Sequence, residues 1–290
     1  MTFSNPESWP APAKINLFLH VTGRRSDGYH TLQTAFQFLD HADELTFEVT
    51  DDRSISRSSD IPGVAEDADL CVRAARILQN ATGVGRGVVI HAIKRIPQGG
   101  GLGGGSSDAA TTLLALNRLW GLKLPLPELA KIALQLGADV PVFVYGRAAW
   151  GEGIGEVLTP MSLAEPWYVV LVPPVHVSTQ AVFAEFDRDI AARLTHYSQP
   201  ITIRDFHAGG AHNDLEAVVR RLYPQVDKAL IWLGNFGNAR MTGSGSCVYM
   251  ATTGPDQAWD IAGCCPQDYA TSIVARGINE HPIRRQYGDV

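Results

Sequence analysis

Cysteine is scarce in this 290-residue chain: there are four, Cys71, Cys247, Cys264 and Cys265, and two are adjacent. They give neither a disulfide framework nor a zinc-ligand spacing, which fits a reducing cytoplasm. Long apolar runs are missing as well. No window approaches the ~18 consecutive apolar residues of a spanning helix. The apolar stretch near the N-terminus is broken by Lys14 and Asn16 and lacks the order of a signal peptide. Neither a leader nor a membrane segment is expected. Excess positive charge is absent too: 24 Lys and Arg stand against 30 Asp and Glu, a net charge of −6. The overall field of a nucleic-acid binder is therefore lacking, and what basic character there is must be local, suited to a small anion. No repeat or low-complexity tract stands out. What remains is a chain with 45% apolar and 19% charged residues, enough for a sizeable core in one large or two ordinary domains.

Periodicity outlines the elements. Residues 51–69 are polar, with Ser, Pro and Gly, and read as an exposed loop. Leu70, Ala74, Ile77 and Leu78 recur at helical spacing, and VVIHAIKRI at residues 88–96 reads as a strand. A helix is expected from Ser107 toward Trp120. A second places Leu129, Ile132, Ala133 and Leu136 on one face, with Gly137 as its stop. VPVFVYG at residues 140–146 reads as a strand. A break is expected at 151–160, where Gly and Pro cluster. The second half opens on the apolar strand WYVVLV and carries helical patterns near 179–186, 213–222 and 223–233. ARMTGSGSCVYMAT reads as strand, turn and strand, followed by a helix at 255–264 and a strand at 269–275. The sum is an α+β fold in two domains, 1–155 and 156–290.

The densest signal is GGGLGGG at residues 99–105, six glycines in seven positions between a strand and a helix. Such density costs conformational entropy, and a plain turn needs one or two glycines. Bare backbone N–H groups leading into a helix N-terminus form an anion site, and Ser106 and Ser107 add hydroxyls. A flexible hinge is the bland alternative. The P-loop is excluded because its terminal Gly-Lys-Ser/Thr is missing. The dinucleotide pattern GxGxxG matches at Gly99, Gly101 and Gly104, but in a glycine tract that match is nearly automatic. The remaining type is the kinase loop, here PQGGGLGGGSSDAA from Pro97 to Ala110.

With PAKINLFL at 12–19, that loop at 97–110 and MTGSGSCVYM at 241–250, the chain resembles the GHMP kinases, which carry three such motifs in this order. Adding GRRSDGYHTLQT and LGADVPVFV, it is similar to the branch of the family whose acceptor is methylerythritol bearing a cytidine diphosphate group, in the non-mevalonate isoprenoid route. The resemblance covers nearly the whole chain. It implies phosphoryl transfer from ATP, with Mg²⁺ held mainly by phosphates and water and no dedicated metal ligands. It implies a two-domain GHMP-kinase-like fold, with an N-terminal βαβ-containing ATP domain that uses a left-handed crossover and a ferredoxin-like C-terminal domain. It implies a cytoplasmic monomer or homodimer that acts on a small molecule, with no nucleic-acid or membrane partner.

The resemblance also assigns roles. Asp139 is the expected base and Lys14 its cationic helper. By spacing alone, Asp139 is a turn residue and Lys14 a lysine reaching toward solvent. ATP is expected on Lys94, Pro97, Gly99, Gly100, Gly101, Leu102, Gly103, Gly104, Gly105, Ser106 and Ser107. The acceptor is expected on Asn16, Tyr29, His30, Phe36, Asp139, Thr179 and Phe183. Here the tyrosine stacks on the base, the histidine reads its polar edge and Phe183 supplies the other face. Asn16, two residues from Lys14 on a strand, shares its face. Without the resemblance, Phe183 and Phe36 read as core residues.

Two positions depart from the family pattern. Asp69 stands where Asn is common in a segment lining the adenine site, and an ionised Asp donates no hydrogen bond. Asp108 stands where Asn or Ala is common, and can cap the helix or add a magnesium ligand. The remaining histidines (20, 41, 91, 176, 196, 207, 212 and 281) show no metal-ligand spacing and read as structural or surface residues. Competing readings are a homoserine or mevalonate kinase, an NAD-dependent oxidoreductase, and a non-catalytic nucleotide-binding regulator.

Overall fold

A computed structural model describes residues 7–288, so the leader-free reading of the first six residues lies outside the described part. The first half runs β1 (Trp9–Arg24), β2 (His30–Thr50), β3 (Ile55–Arg57), a 3-10 turn at Glu66–Ala68, α1 (Leu70–Thr82), β4 (Gly87–Ile93), α2 (Gly104–Leu119), α3 (Leu126–Leu134), α4 (Val140–Tyr145), β5 (Ala149–Glu152) and β6 (Val157–Pro160). The second half runs β7 (Trp167–Val172), α5 (Thr179–Ala191), α6 (Ile203–His207), α7 (Glu216–Leu222), α8 (Pro224–Gly234), β8 (Arg240–Met241), β9 (Val248–Thr252), α9 (Pro255–Gly263), β10 (Thr271–Ile278) and α10 (Pro282–Tyr287).

The backbone of the molecule is the long antiparallel pair β1–β2. Among the named strands of the described residues β1 pairs only with β2, so Pro12 can sit inside it at a break in register without removing a needed ladder bond. β4 lies on the far side of β2, and β3 adds to β4 in parallel, with α1 as the crossover. In the second half the order β10-β7-β9-β8 corresponds to fourth, first, third and second in chain order, all antiparallel, with helices between: a ferredoxin-like arrangement. β10 also pairs with β2 at Gly277–Leu39 and Ile278–Phe38, which joins the two sheets edge to edge. The fold is α+β with two domains, as expected.

Each domain has its own core. α1, α2, α3 and α4 bury Leu78, Leu113, Leu116, Leu129 and Phe143 with Phe38 and Leu45 of β2. The second core gathers Val169, Leu171, Phe186, Val219, Leu230, Val248 and Ile261, and takes in Leu19 and Val21 from the end of β1. β1 therefore serves both domains, and its middle, where Lys14 and Asn16 lie, falls between them.

Four elements differ from the expected pattern. Residues 140–145 form α4, not the strand expected over 140–146. The segment is buried on nearly every side, so its apolar run carries no period, while Pro141 in the first turn and Gly146 at φ 69° just past the last set its ends. The polar stretch 51–69 contains β3 and the 3-10 turn. Residues 151–160 are no break: β5 and β6 pair as a hairpin against β2, and the boundary drawn at 155 and 156 falls in its turn. α2 begins at Gly104, three residues before Ser107, so glycines occupy its first turn.

Candidate active site

The glycine run leads from β4 into α2, and two of its glycines are fixed by neighbours as much as by any ligand. Gly101 has φ 80°, and a Cβ there would stand 2.7 Å from the Thr242 carbonyl oxygen. Gly103 has φ 73°, and a Cβ would stand 2.9 Å from Phe143 Cζ and 3.1 Å from Lys14 Cε. The Cys247 N–H donates to the Gly100 carbonyl across 3.0 Å, and the Lys14 N–H to the Leu102 carbonyl across 2.9 Å. The glycine loop thus packs against the other two family motifs. Gly104 and Gly105 open α2 toward a cavity of about 1330 Å³ with their N–H groups free of the ladder, the arrangement that attracts an anion.

Nearly all the expected residues line that one cavity: Lys14, Asn16, Tyr29, His30, Phe36, Lys94, Pro97, the loop glycines, Ser106, Asp139, Thr179 and Phe183. Leu102 and Ser107 do not. Leu102 is packed into a small core with Ile15 and Ile96. Ser107 points inward, fully buried, and its Oγ has no protein partner among the described residues.

Lys14 is 2% exposed and so does not reach to solvent. Its ammonium donates to Asn16 Oδ1 at 2.6 Å, lies 3.3 Å from Asp139 Oδ2 and 5.7 Å from the Phe36 ring centroid. A buried ammonium is tolerated only when paired and hydrogen-bonded, and those partners supply it. Asn16 is held in turn by donation from Nδ2 to Thr34 Oγ1 at 2.9 Å. Asp139 occupies the N-cap position of α4 without making a cap bond, and its side chain is 41% exposed. The ordinary job of a turn aspartate is left undone, and the carboxylate faces Lys14 and the cavity instead.

Lys94 lines the cavity, but its ammonium is already engaged. Its ammonium bridges Asp43 and Asp108. Asp43, which sequence reasoning passed over, is completely buried and accepts the Ile96 N–H at 2.7 Å, so it also shapes the entry to the loop. Burial works against the Lys94 charge, but the two carboxylates outweigh it and hold its pKa above the ordinary value. Asp108 is pushed up to about 7, chiefly by burial, with Lys94 pulling the other way. It makes no helix cap, and its Oδ1 lacks a protein partner among the described residues.

Asp69 is fully employed. Oδ1 accepts the Cys71 N–H at 2.7 Å and caps α1, while Oδ2 pairs with Arg57 at 2.6 Å. It stands in the cavity wall with Ile61, Val64, Ala68 and Leu70, yet its oxygens are already occupied.

The far end of the cavity holds the aromatic group. Tyr29 is 60% exposed in the turn between β1 and β2. His30 and Phe183 stack face to face, centroids 4.6 Å apart and planes 20° apart. Phe183 therefore braces the imidazole as well as facing the cavity. His30 Nε2 lies 2.8 Å from Asp187 Oδ1, a partner one helical turn beyond Phe183 that sequence reasoning missed. Thr179 Oγ1 lies 2.7 Å from Ser244 Oγ, which joins α5 to the late glycine turn.

Two histidine readings change. His176 lines the cavity beside Gly99, whose added Cβ would meet its Nδ1 at 2.7 Å. His20, His212 and Asp214 form the one set among the described residues with metal-ligand proximity, unforeseeable from their spacing. Asp214 already accepts the Val21 N–H at 2.7 Å, Ser198 Oγ at 2.9 Å and His212 Nε2 at 2.7 Å, so the set acts as a clasp between β1 and the segment before α7.

The GHMP kinase N-terminal domain profile matches residues 69–147 and the C-terminal profile residues 202–270. The 4-diphosphocytidyl-2-C-methyl-D-erythritol kinase of Thiobacillus denitrificans is 54% identical over 277 residues, covering 96% of this chain and 97% of that protein. The same enzyme of Nitrosococcus oceani is 53% identical, covering 93% and 94%. A crystal structure of 4-(cytidine 5'-diphospho)-2C-methyl-D-erythritol kinase superposes with TM-score 0.79 at 33% identity, covering 93% of this chain and 99% of that one. A mevalonate kinase structure reaches TM-score 0.67 at 16% identity and shares the fold. A glycine loop packed on two further motifs and near-complete coverage by kinase relatives lead to one conclusion: the chain belongs to the GHMP kinase family.

Proposed function

We propose that this chain transfers the γ-phosphoryl group of ATP to the 2-hydroxyl of 4-diphosphocytidyl-2-C-methyl-D-erythritol, in the non-mevalonate isoprenoid route. The observation that carries this reading is the Lys14–Asp139 pair, 3.3 Å apart, in one cavity with both the glycine loop and the Tyr29–His30–Phe183 group. Phosphoryl transfer asks for positioning, charge neutralisation and a group to take the hydroxyl proton. The loop N–H groups and the α2 N-terminus hold the phosphates. Asp139 accepts the proton of the acceptor hydroxyl as its oxygen bonds to phosphorus and the bond to the ADP oxygen breaks. Lys14 stabilises the charge that gathers at that point, and Asn16 fixes Lys14. The aromatic group takes the cytosine base. Homoserine and mevalonate carry no base to stack, so that group favours a cytidylated acceptor.

Mg²⁺ fits the donor set beside the loop, where Ser106 faces the cavity and Asp108 keeps an unpartnered buried oxygen; when bound, it neutralises phosphate charge. No helix among the described residues is long and apolar enough to cross a membrane. The four cysteines are free thiols, which supports the cytoplasmic reading.

The test is the ³¹P spectrum of the product formed from ATP, Mg²⁺ and the cytidylated alcohol. A new phosphomonoester on the 2-hydroxyl, with the diphosphate intact, is expected. A phosphate on another hydroxyl, or none, contradicts the reading.

A further inference from the structure

His30 is held from two sides by one helix. Phe183 covers its face at 4.6 Å between centroids, and Asp187, four residues further along α5, meets its Nε2 at 2.8 Å. Residues four apart on a helix share a face, so both contacts come from a single rigid surface. The other Asp187 oxygen, Oδ2, is 3.1 Å from Arg24 Nη1, which fixes the carboxylate plane. A carboxylate only accepts hydrogen bonds, so the neutral His30 ring must place its proton on Nε2. Nδ1 is then an obligatory acceptor.

That choice matters for a pyrimidine. Cytosine carries an amino donor at position 4, whereas uracil carries an oxygen acceptor there. A ring fixed with a lone pair on Nδ1 accepts from the amino group and opposes the oxygen. Stacking cannot make this distinction, because every base offers a π face. We infer that Asp187 is a positioning residue that sets the His30 tautomer and thereby makes the site select cytidine over uridine diphosphate acceptors. This rests on the reading that the cavity takes a cytidylated alcohol.

Two measurements test it, with ADP saturating the glycine-loop end. Nitrogen-15 chemical shifts of His30 report the tautomer without any acceptor present. Calorimetry with CDP and UDP gives the base preference without turnover. The wild type is expected to carry the proton on Nε2 and to prefer CDP. Asp187→Ala should yield a tautomer mixture and lose on the order of tenfold of that preference, the scale of one specific hydrogen bond. In turnover the loss should appear in KM for the acceptor, with kcat and KM for ATP kept. Asp187→Asn, whose amide oxygen still accepts the ring N–H, should retain most of the preference. A proton on Nδ1 in the wild type, a doubly protonated ring, or a preference unchanged in Asp187→Ala overturns the inference while leaving the kinase reading intact. Equal wild-type affinity for CDP and UDP overturns the inference as well. A wild type that phosphorylates no cytidylated alcohol yet prefers CDP and shifts as described overturns only the kinase reading.

Discussion

Gly100 and Cys247 meet at the seam between the domains: the Cys247 N–H donates to the Gly100 carbonyl at 3.0 Å, and a Cβ on Gly100 would stand 2.5 Å from Cys247 Sγ. The phosphate loop is thus clamped from the C-terminal domain before any ligand arrives. Gly101 is more constrained still, because its φ of 80° and the Thr242 carbonyl both reject a side chain. Gly101→Ala should cost about 1–3 kcal/mol of stability from the backbone alone. It should also raise KM for ATP. Gly63, at φ 77° with nothing within 4 Å of an added Cβ, is the control: its Ala variant bears the backbone cost without the clash or the KM change. Denaturant unfolding and ATP titration compare the two.

Lys14→Met should separate activity from stability. Replacing a buried ammonium by an apolar side chain of similar shape is often neutral or stabilising, and the carboxylate left behind is partly exposed to water. The melting temperature is expected to drop only by the effect of the one hydrogen bond that Asn16 Oδ1 loses, while kcat falls by roughly 10²–10⁴-fold. Asp139→Asn should fall similarly. An active Lys14→Met variant would remove Lys14 from the chemistry.

These residues show how far the sequence could be read. The glycine loop, the family and the residues of one cavity were legible because each lies in a contiguous motif. That Lys14 and Asn16 share a face followed from strand period two, while the hydrogen bond between them shows only in the structure. Three kinds of feature were hidden. α4 was hidden because a segment buried all round loses its period. Asp43 and Asp187 were hidden because their value lies wholly in distant partners, Lys94 and His30, that no local pattern announces. The packing of loop glycines against Thr242 and Cys247 was hidden because a glycine needed for protein contact looks the same as one needed for a ligand.

Asp69→Ala should be strongly destabilising. It removes the α1 cap, worth about 1 kcal/mol, and strands the buried Arg57 guanidinium, whose loss of a partner costs about 3–5 kcal/mol. Asp69→Asn keeps the cap and loses only the ion pair, so it should fall between the two in urea unfolding.

Asp108 predicts a pH dependence. Its carboxyl titrates at 3.8 in the unfolded chain and at about 7 in the fold, raised mainly by burial. Between those values the folded state holds the proton more tightly, so Asp108 makes stability decline as pH rises from about 4 to about 7, and the decline ends above that range. Asp108→Asn should remove this slope while Asp43 still holds Lys94. Unfolding free energies at pH 5 and pH 8 for both proteins give the comparison.

The most direct test of the account is ADP release measured side by side with three alcohols: 4-diphosphocytidyl-2-C-methyl-D-erythritol, homoserine and mevalonate. The account predicts turnover with the first alone, lowered by roughly 10²–10⁴-fold in Asp139→Asn. Equal or faster turnover of homoserine or mevalonate, or full activity in Asp139→Asn, would contradict it.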